Sequence, residues 1–271
     1  MNSQCRAIED DKRSTHWPAG NSCAVSLCFD DGLLSQIYLA LPLLSQYGMS
    51  ATFYLSSLWM EGLGATAKDR MIAPWIAASA AGHEIGNHTR SHPCTTNFGW
   101  VKQNRCEPLE DMSLAEIEQE IDAAQITLQA QIRVTPITFA YPCGMTFVGR
   151  NVECRSYVPL VAKRFLVGRT YNNQCAADPI RCDLAQVPAV GLDNRKIPEL
   201  IQLIDEARRD GTWIILVGHH IANRSAKLST DLGVLRSLLE YLDAHRGEIW
   251  VDTVGRLGLY VRDLQTSAAI F

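Results

Sequence analysis

The chain has 271 residues, 47% of them apolar and 20% charged, and a formal net charge of −4. This is the composition of a globular protein long enough to bury a sizeable core, not of a disordered or fibrous chain. The mild negative charge and the lack of a long basic run give no support for nucleic-acid binding, and no run of about 18 apolar residues is present to span a membrane.

Residues 1–21 are polar and charged, with no apolar core of the kind a secretory signal carries, and read as an N-terminal extension. Val25-Ser26-Leu27-Cys28-Phe29 reads as a short apolar strand that ends in two carboxylates and a glycine, Asp30-Asp31-Gly32. The pattern from Leu34 to Gln46 is helical, with Gly48 as its stop. Ala51–Leu55 reads as a second strand, and Pro74–Ala81 as a helix with proline at its start and Gly82 at its end. Glu84–Asn87 is a short third strand, with His88 at its carboxyl end. The stretch from Pro93 to Met112 is irregular.

Ser113-Leu-Ala-Glu116 is a capping box that opens a helix to about Gln131. Ile137–Tyr141 reads as a fourth strand, cut off by Pro142. Phe165–Gly168 follows a helix over 157–164, and a further helix over 196–209 ends at Asp210-Gly211. Trp213–Val217 is an uninterrupted apolar strand of the kind buried on both faces of a parallel sheet, and it runs into Gly218-His219-His220. A helix over 231–245 and a strand at Ile249–Val251 complete the alternation, with no internal repeat or linker. The reading is α/β, one domain over 22–262 with parallel strands closed into a barrel, and a tail at 263–271.

Nine cysteines, at 5, 23, 28, 94, 106, 143, 154, 175 and 182, form an odd set without paired spacing. The simplest expectation is a cytoplasmic chain with free thiols, with a local Cys175–Cys182 bridge as the alternative. Asn87-His-Thr and Asn223-Arg-Ser match glycosylation acceptors, a pattern frequent by chance.

Four of the expected strands end in unusual residues: Asp30-Asp31, His88, Tyr141-Pro142-Cys143-Gly144 and His219-His220. In a barrel such ends converge on one rim. His88 and His92 are spaced so that a helical turn would put both rings on one side. Two imidazoles with a carboxylate make a catalytic zinc donor set that leaves a position open. His16, His83 and His245 read instead as hydrogen-bonded core or rim residues.

Phe29-Asp30-Asp31-Gly32 resembles the first motif of the polysaccharide deacetylases, carbohydrate esterase family four. Gly82-His-Glu-Ile-Gly-Asn-His88-Thr-Arg-Ser-His92 is similar to their second motif and is the most specific part of the likeness. Phe139-Ala-Tyr-Pro142-Cys-Gly144 resembles a variant of the third, and Trp213 through Ile221 the fifth. The resemblance spans residues 22–262 and implies a distorted (β/α) barrel with parallel strands and a metal-dependent hydrolase of N- or O-acetyl groups on carbohydrate. Carried over by position, Asp31, His88 and His92 would bind a divalent metal, most often Zn2+. Asp30 would be the base, and one histidine of the 219–220 pair the acid. Adjacent strand residues face opposite ways, and the spacing to Ile221 favours His219, with His220 on the rim. The backbone N–H of Cys143 after Pro142 would stabilise the oxyanion, beside Tyr141.

Two departures stand out. Where many relatives carry an arginine two residues before the third-motif proline, this chain has Ala140; Arg169 and Arg150 are the candidates to replace it. The Asp-Trp pair of the fourth motif is not visible. Trp59, Trp75 and Trp100 could stack on sugar, although a tryptophan in a barrel is more often packing. A nucleophilic Cys143 would need a cation or helix N-terminus to lower its pKa, and the sequence shows neither. The rival readings are a hydrolase of a small imide or ureide on the same fold, and a non-catalytic carbohydrate-binding relic.

Overall fold

The apolar run at Val25–Phe29 forms the strand about which the fold is laid. In the computed structural model, which describes residues 16–99, 101, 107–171, 173, 175–223 and 227–268, this strand, β1 (Cys23–Asp30), is buried along its whole length. Burial on both faces is what a central parallel strand requires. The other strands, in chain order, are β2 (Thr52–Leu55), β3 (Glu84–Asn87), β4 (Thr138–Ala140), β5 (Phe147–Val148), β6 (Arg155–Ser156), β7 (Val167–Arg169), β8 (Val190–Gly191), β9 (Trp213–Gly218), β10 (His220–Ala222), β11 (Ser229–Asp231) and β12 (Ile249–Val251). The helices are α1 (Leu41–Gln46), entered through a π turn at Gln36–Ala40, then α2 (Ala65–Met71), α3 (Ala73–Ala80), α4 (Leu114–Ile132), α5 (Val158–Arg164), α6 (Ile197–Asp210), α7 (Leu232–Ala244) and α8 (Val254–Ala268).

The main sheet runs β7-β4-β3-β2-β1-β9-β8, with β12 beside the first half of β1 and β2 beside the second. Its pairings are all parallel. The two ends of this sheet meet. Val187 forms a parallel bridge with Arg169 of β7, its N–H donates to Gly168 O at 2.8 Å, and its carbonyl accepts from Thr170 N–H at 2.9 Å. Residues 187–191 thus touch β7 on one side and β9 on the other. The sheet curls into the distorted (β/α) barrel expected from the sequence. Strand alternation sorts the core. Ala24 and Cys28 face inward with Tyr54, Ala140, Val167, Trp213 and Ile215. Val25, Leu27 and Phe29 face outward onto Leu200 and Ile204 of α6 and Leu235 and Leu238 of α7.

The capping box at the start of α4 forms as expected: Ser113 N–H donates to the Glu116 carboxylate at 2.7 Å, and Glu116 N–H donates back to Ser113 Oγ at 3.3 Å. Several features depart from the sequence reading. Helix α2 and the barrel-closing segment 187–191 were not expected, because neither carries a long periodic pattern. Trp17, inside the segment read as a polar lead-in, is buried against Trp250 and Tyr260 and donates through Nε1 to Gly211 O at 2.9 Å. Helix α8 continues to Ala268, past the expected domain end at 262.

The cysteines need a correction. Cys94 and Cys143, 49 residues apart in sequence, form a disulfide, so the expectation of free thiols fails at this pair. Cys175 and Cys182 are not bridged to each other; both remain thiols, as do Cys23, Cys28 and Cys154. Cys5 and Cys106 lie outside the described residues. Spacing in sequence could not reveal the bridge, because only the pairing of β3 with β4 brings the loops that follow them together. Closing a loop of this length restricts the unfolded chain by an amount worth roughly 3–4 kcal/mol. Among the described residues no helix is long and apolar enough to cross a membrane.

Candidate active site

The parallel register sets several strand ends at one level: Asp30 opposite Tyr54, Tyr54 opposite Gly86, Asn87 opposite Phe139, Ala140 opposite Arg169, and Phe29 opposite Gly218. Asp31, His88 and His92 meet there, with one donor atom from each lying within 4.8 Å of the others. Asp31 Oδ1 is 3.6 Å from the Nε2 atoms of both His88 and His92. Asp31 takes a left-handed backbone (φ 72°), as does Gly32 (φ 67°). A Cβ at Gly32 would sit 2.9 Å from Leu55 Cδ2, so the turn after β1 requires glycine on both counts.

His88 and His92 converge, but not on a helical turn as their spacing suggested. They sit on an irregular loop in which Thr89 (φ 63°) and His92 (φ 58°) are both left-handed. Asn87 holds its start, accepting from Thr89 N–H at 2.9 Å and donating to Ile121 O at 3.0 Å. Glu120 on α4 accepts from Ser91 N–H at 2.7 Å. His88 Nδ1 lies 2.8 Å from Ala140 O. A carbonyl can only accept, so Nδ1 carries the proton and Nε2 presents its lone pair toward Asp31. Burial holds the His88 pKa down at about 4, so the ring is neutral. A neutral, oriented imidazole is what a divalent ion binds, and the carbonyl behind it is the usual second partner. The three donors fit such an ion.

Asp30 is buried beside them but stands apart from the donor set. Its Oδ1 accepts from Arg169 Nη2, and its Oδ2 lies 3.8 Å from His88 Nε2. Burial alone would raise its pKa; the Arg169 charge, helped by His88 and His219, outweighs that and holds the carboxyl below its usual range. Arg169 is fully buried at the end of β7, its guanidinium 4.6 Å from the centre of the Tyr54 ring. Because Ala140 and Arg169 are paired in the sheet, an arginine on the neighbouring strand reaches the level where Ala140 leaves none. Arg150 does not: it pairs with Asp111 on the surface.

Across the rim, His219 follows β9 and points into the barrel, while His220 starts β10 and is exposed. Buried Gln36 spans the two strand ends, donating through Nε2 to Asp30 O at 2.5 Å and to His219 O at 3.1 Å. Asp193, two residues beyond β8, was not expected from the sequence. Its Oδ2 is 2.6 Å from His219 Nδ1, and its Oδ1 accepts from His219 N–H at 3.1 Å and from Thr230 Oγ1 at 2.8 Å. Nδ1 therefore donates to Asp193, and Nε2 faces the site. Burial would depress the His219 pKa, but the Asp193 hydrogen bond, with Asp30 and Asp31, raises it above the ordinary histidine value. Removing that carboxylate by Asp193→Asn is expected to lower kcat on the order of 10²-fold. Its absence lets burial pull the His219 pKa down, so the alkaline limb of the kcat/KM profile moves to lower pH; an unmoved limb would refute the coupling.

Other expected site residues are placed differently. Tyr141 does not reach the site: its ring packs on Phe139 and Tyr157, and its hydroxyl donates to Ala185 O at 2.7 Å. Pro142 and Cys143 form the turn after β4, with Cys143 at φ 54°. The Cys143 sulfur is bonded to Cys94, which removes a thiol nucleophile. Trp59 lies against the Gly32 turn, Trp75 is core, packed on Phe53, and Trp100 lies outside the described residues. Tyr171 was not expected; its ring meets His219 edge-on at 5.4 Å.

The described residues thus form a parallel (β/α) barrel with acids and histidines gathered at the carboxyl ends of its strands. Residues 19–153 match the family model described as polysaccharide deacetylase. The chain belongs to the polysaccharide deacetylase family. It is 29% identical over 90 residues to the chitin disaccharide deacetylase of Vibrio alginolyticus, a match covering 32% of this chain and 21% of that protein. The chain thus spans about a fifth of the length of that curated relative. Among solved structures it resembles one from Mycobacterium smegmatis, classed with the polysaccharide deacetylases, at a TM-score of 0.63 and 17% identity over 91% of this chain and 92% of that one. It also resembles a family 4 acetyl xylan esterase from Clostridium thermocellum in complex with a cobalt ion (TM-score 0.52, 19% identity, 86% and 89% covered). A Bacillus anthracis pseudoenzyme of the CE4 family shares the fold as well (TM-score 0.51, 14% identity, 88% and 66% covered).

Proposed function

We propose that this protein is a metal-dependent hydrolase that removes acetyl groups, N- or O-linked, from carbohydrate. The observation that carries the reading is the convergence of three metal donors, Asp31, His88 and His92, between a buried carboxylate on one side and a carboxylate-backed histidine on the other. A divalent ion bound there, most simply Zn2+, lowers the pKa of water and polarises a carbonyl.

The chain's own groups supply the remaining chemistry. Asp30, held ionised by Arg169, takes the proton of the attacking water as general base. The Cys143 N–H, on the turn after β4, donates to the oxyanion, a contact commonly worth about 3–4 kcal/mol in the transition state. His219, raised and oriented by Asp193, gives a proton to the departing amine or alcohol. Trp59 beside the Gly32 turn offers a face to the sugar. The presence of the whole set argues against a carbohydrate-binding relic, since binding alone has no use for a base next to metal donors. The Cys94–Cys143 bridge favours an oxidising compartment over the cytoplasm, since reducing compartments keep thiols reduced.

The test is acetate release from acetylated chito- and xylo-oligosaccharides, with simple imides assayed in parallel, before and after chelation and zinc reloading. Acetate release that chelation abolishes and zinc restores is the expected result. Imide turnover alone would overturn the substrate class, and full activity in metal-free protein would overturn the mechanism.

A further inference from the structure

We propose that the Cys94–Cys143 disulfide is a positioning element of the active site, clamping the loop that presents His92 onto the turn that presents the Cys143 amide. The proposal rests on the hydrolase reading above, and it adds to that reading two residues whose side chains have no part in the chemistry.

The placement of the bridge is the first argument. Cys94 is two residues beyond His92, and Cys143 is three beyond Ala140, whose carbonyl orients His88. The crosslink thus ties the metal-donor loop to the oxyanion turn. Backbone conformation is the second. His92 (φ 58°) and Cys143 (φ 54°) are both left-handed without being glycine. Such residues persist only where their surroundings over-determine them. His92 also precedes Pro93, and a residue before proline is steered toward extended backbone. Relaxation is therefore favoured at both ends of the bridge.

The third argument is where the other restraints lie. Upstream of His92 the loop is held by Asn87 and Glu120. Downstream, Pro93 has no N–H to give, and the next anchor is Cys94 itself, fully buried, with its carbonyl accepting from Leu109 N–H at 3.1 Å. The turn at 142–144 closes on itself through Gly144 N–H to Tyr141 O at 2.9 Å and Met145 N–H to Pro142 O at 3.0 Å. The covalent link ties Cys94 on one loop directly to Cys143 on the other. Without it, His92 and the Cys143 amide lose their common reference, while Asp31 and His88, fixed by strands, keep theirs.

The experiment compares the oxidised protein with the Cys94→Ala/Cys143→Ala pair at a temperature where circular dichroism shows both fully folded. Zinc affinity is read by competition with a chromophoric chelator, and kcat and KM on an acetylated oligosaccharide. The expected result is zinc affinity weakened about 10–100-fold, the range for groups that orient metal ligands, with kcat lowered and KM little changed. A staple acting only on the unfolded chain would lower Tm and leave both quantities alone; that outcome overturns the proposal. A second route needs no substitution. A water-soluble phosphine reduces the bridge to two thiols, the phosphine becoming its oxide with oxygen and two protons supplied by water. With the two new thiols verified by titration and the phosphine removed, zinc affinity and kcat must fall, and both must recover on reoxidation; unchanged values in the reduced protein also overturn the proposal. If the oxidised, zinc-loaded protein releases no acetate from any substrate, the hydrolase reading fails, and the zinc affinity still decides the clamp.

Discussion

Replacing Asp30 by Asn is expected to lower kcat for acetate release by about 10²–10⁴-fold, the range over which a positioned acid or base contributes, while zinc binding stays near the wild-type value. The two halves of this expectation come from one geometry. Asp30 is next to Asp31 in sequence but is not among the three donors gathered within 4.8 Å. One of its oxygens is taken by Arg169, and the other faces His88 Nε2 at 3.8 Å. Asparagine has the same shape and can still accept from the guanidinium, so the site keeps its form and loses only the ability to take a proton. His88→Ala is the contrasting variant. It removes a fully buried donor already oriented by Ala140 O, and it is expected to lose metal affinity and activity together. Steady-state kinetics beside zinc titrations separate the two patterns. Near wild-type kcat in Asp30→Asn would remove Asp30 from the reaction, and zinc loss in that variant would make it a ligand.

The parts of this arrangement that sequence made legible share a cause. A strand buried on both faces must be apolar throughout, so β1 and β9 announce themselves, and polar residues at their ends stand out against that background. The same logic would have found Asp193: Ala189-Val190-Gly191-Leu192 is an apolar run closed by an acid, a shorter copy of the pattern at Asp30. The acid is inconspicuous because β8 has only two residues and no periodicity. The His88–His92 spacing led to the correct convergence through the wrong geometry, since left-handed residues in a loop, not a helical turn, bring the rings together. The disulfide and the replacement for the missing arginine depend on which strands are neighbours. Pairing of β3 with β4 and of β4 with β7 is a property of the sheet, and no local pattern encodes it. Arg169 was open to suspicion because it ends a strand, whereas nothing in sequence distinguished Cys94 and Cys143 from the other seven cysteines.

Arg169→Met is expected to destabilise the fold by about 3–5 kcal/mol near neutral pH, because it strands a buried carboxylate without its partner charge. Volume and packing against Tyr54 are largely kept, so the loss is electrostatic in origin. The pH dependence identifies it. In the wild type, burial raises the Asp30 pKa and Arg169 more than offsets this, leaving it lowered; a depressed carboxyl contributes stability that is present above its unfolded pKa and is lost as pH falls through the folded one. In the variant burial acts alone, the folded pKa rises, and protonating Asp30 relieves the penalty. The gap in stability between wild type and Arg169→Met is therefore widest at neutral pH and narrows as pH falls through the carboxylate range. Urea denaturation of the metal-free proteins at several pH values measures this gap directly. A pH-independent gap would mean that the guanidinium acts only as filler, and the double variant Arg169→Met/Asp30→Asn decides the matter: if the two groups are a buried pair, removing both charges costs less than removing the arginine alone, because no unpaired charge is left inside the barrel.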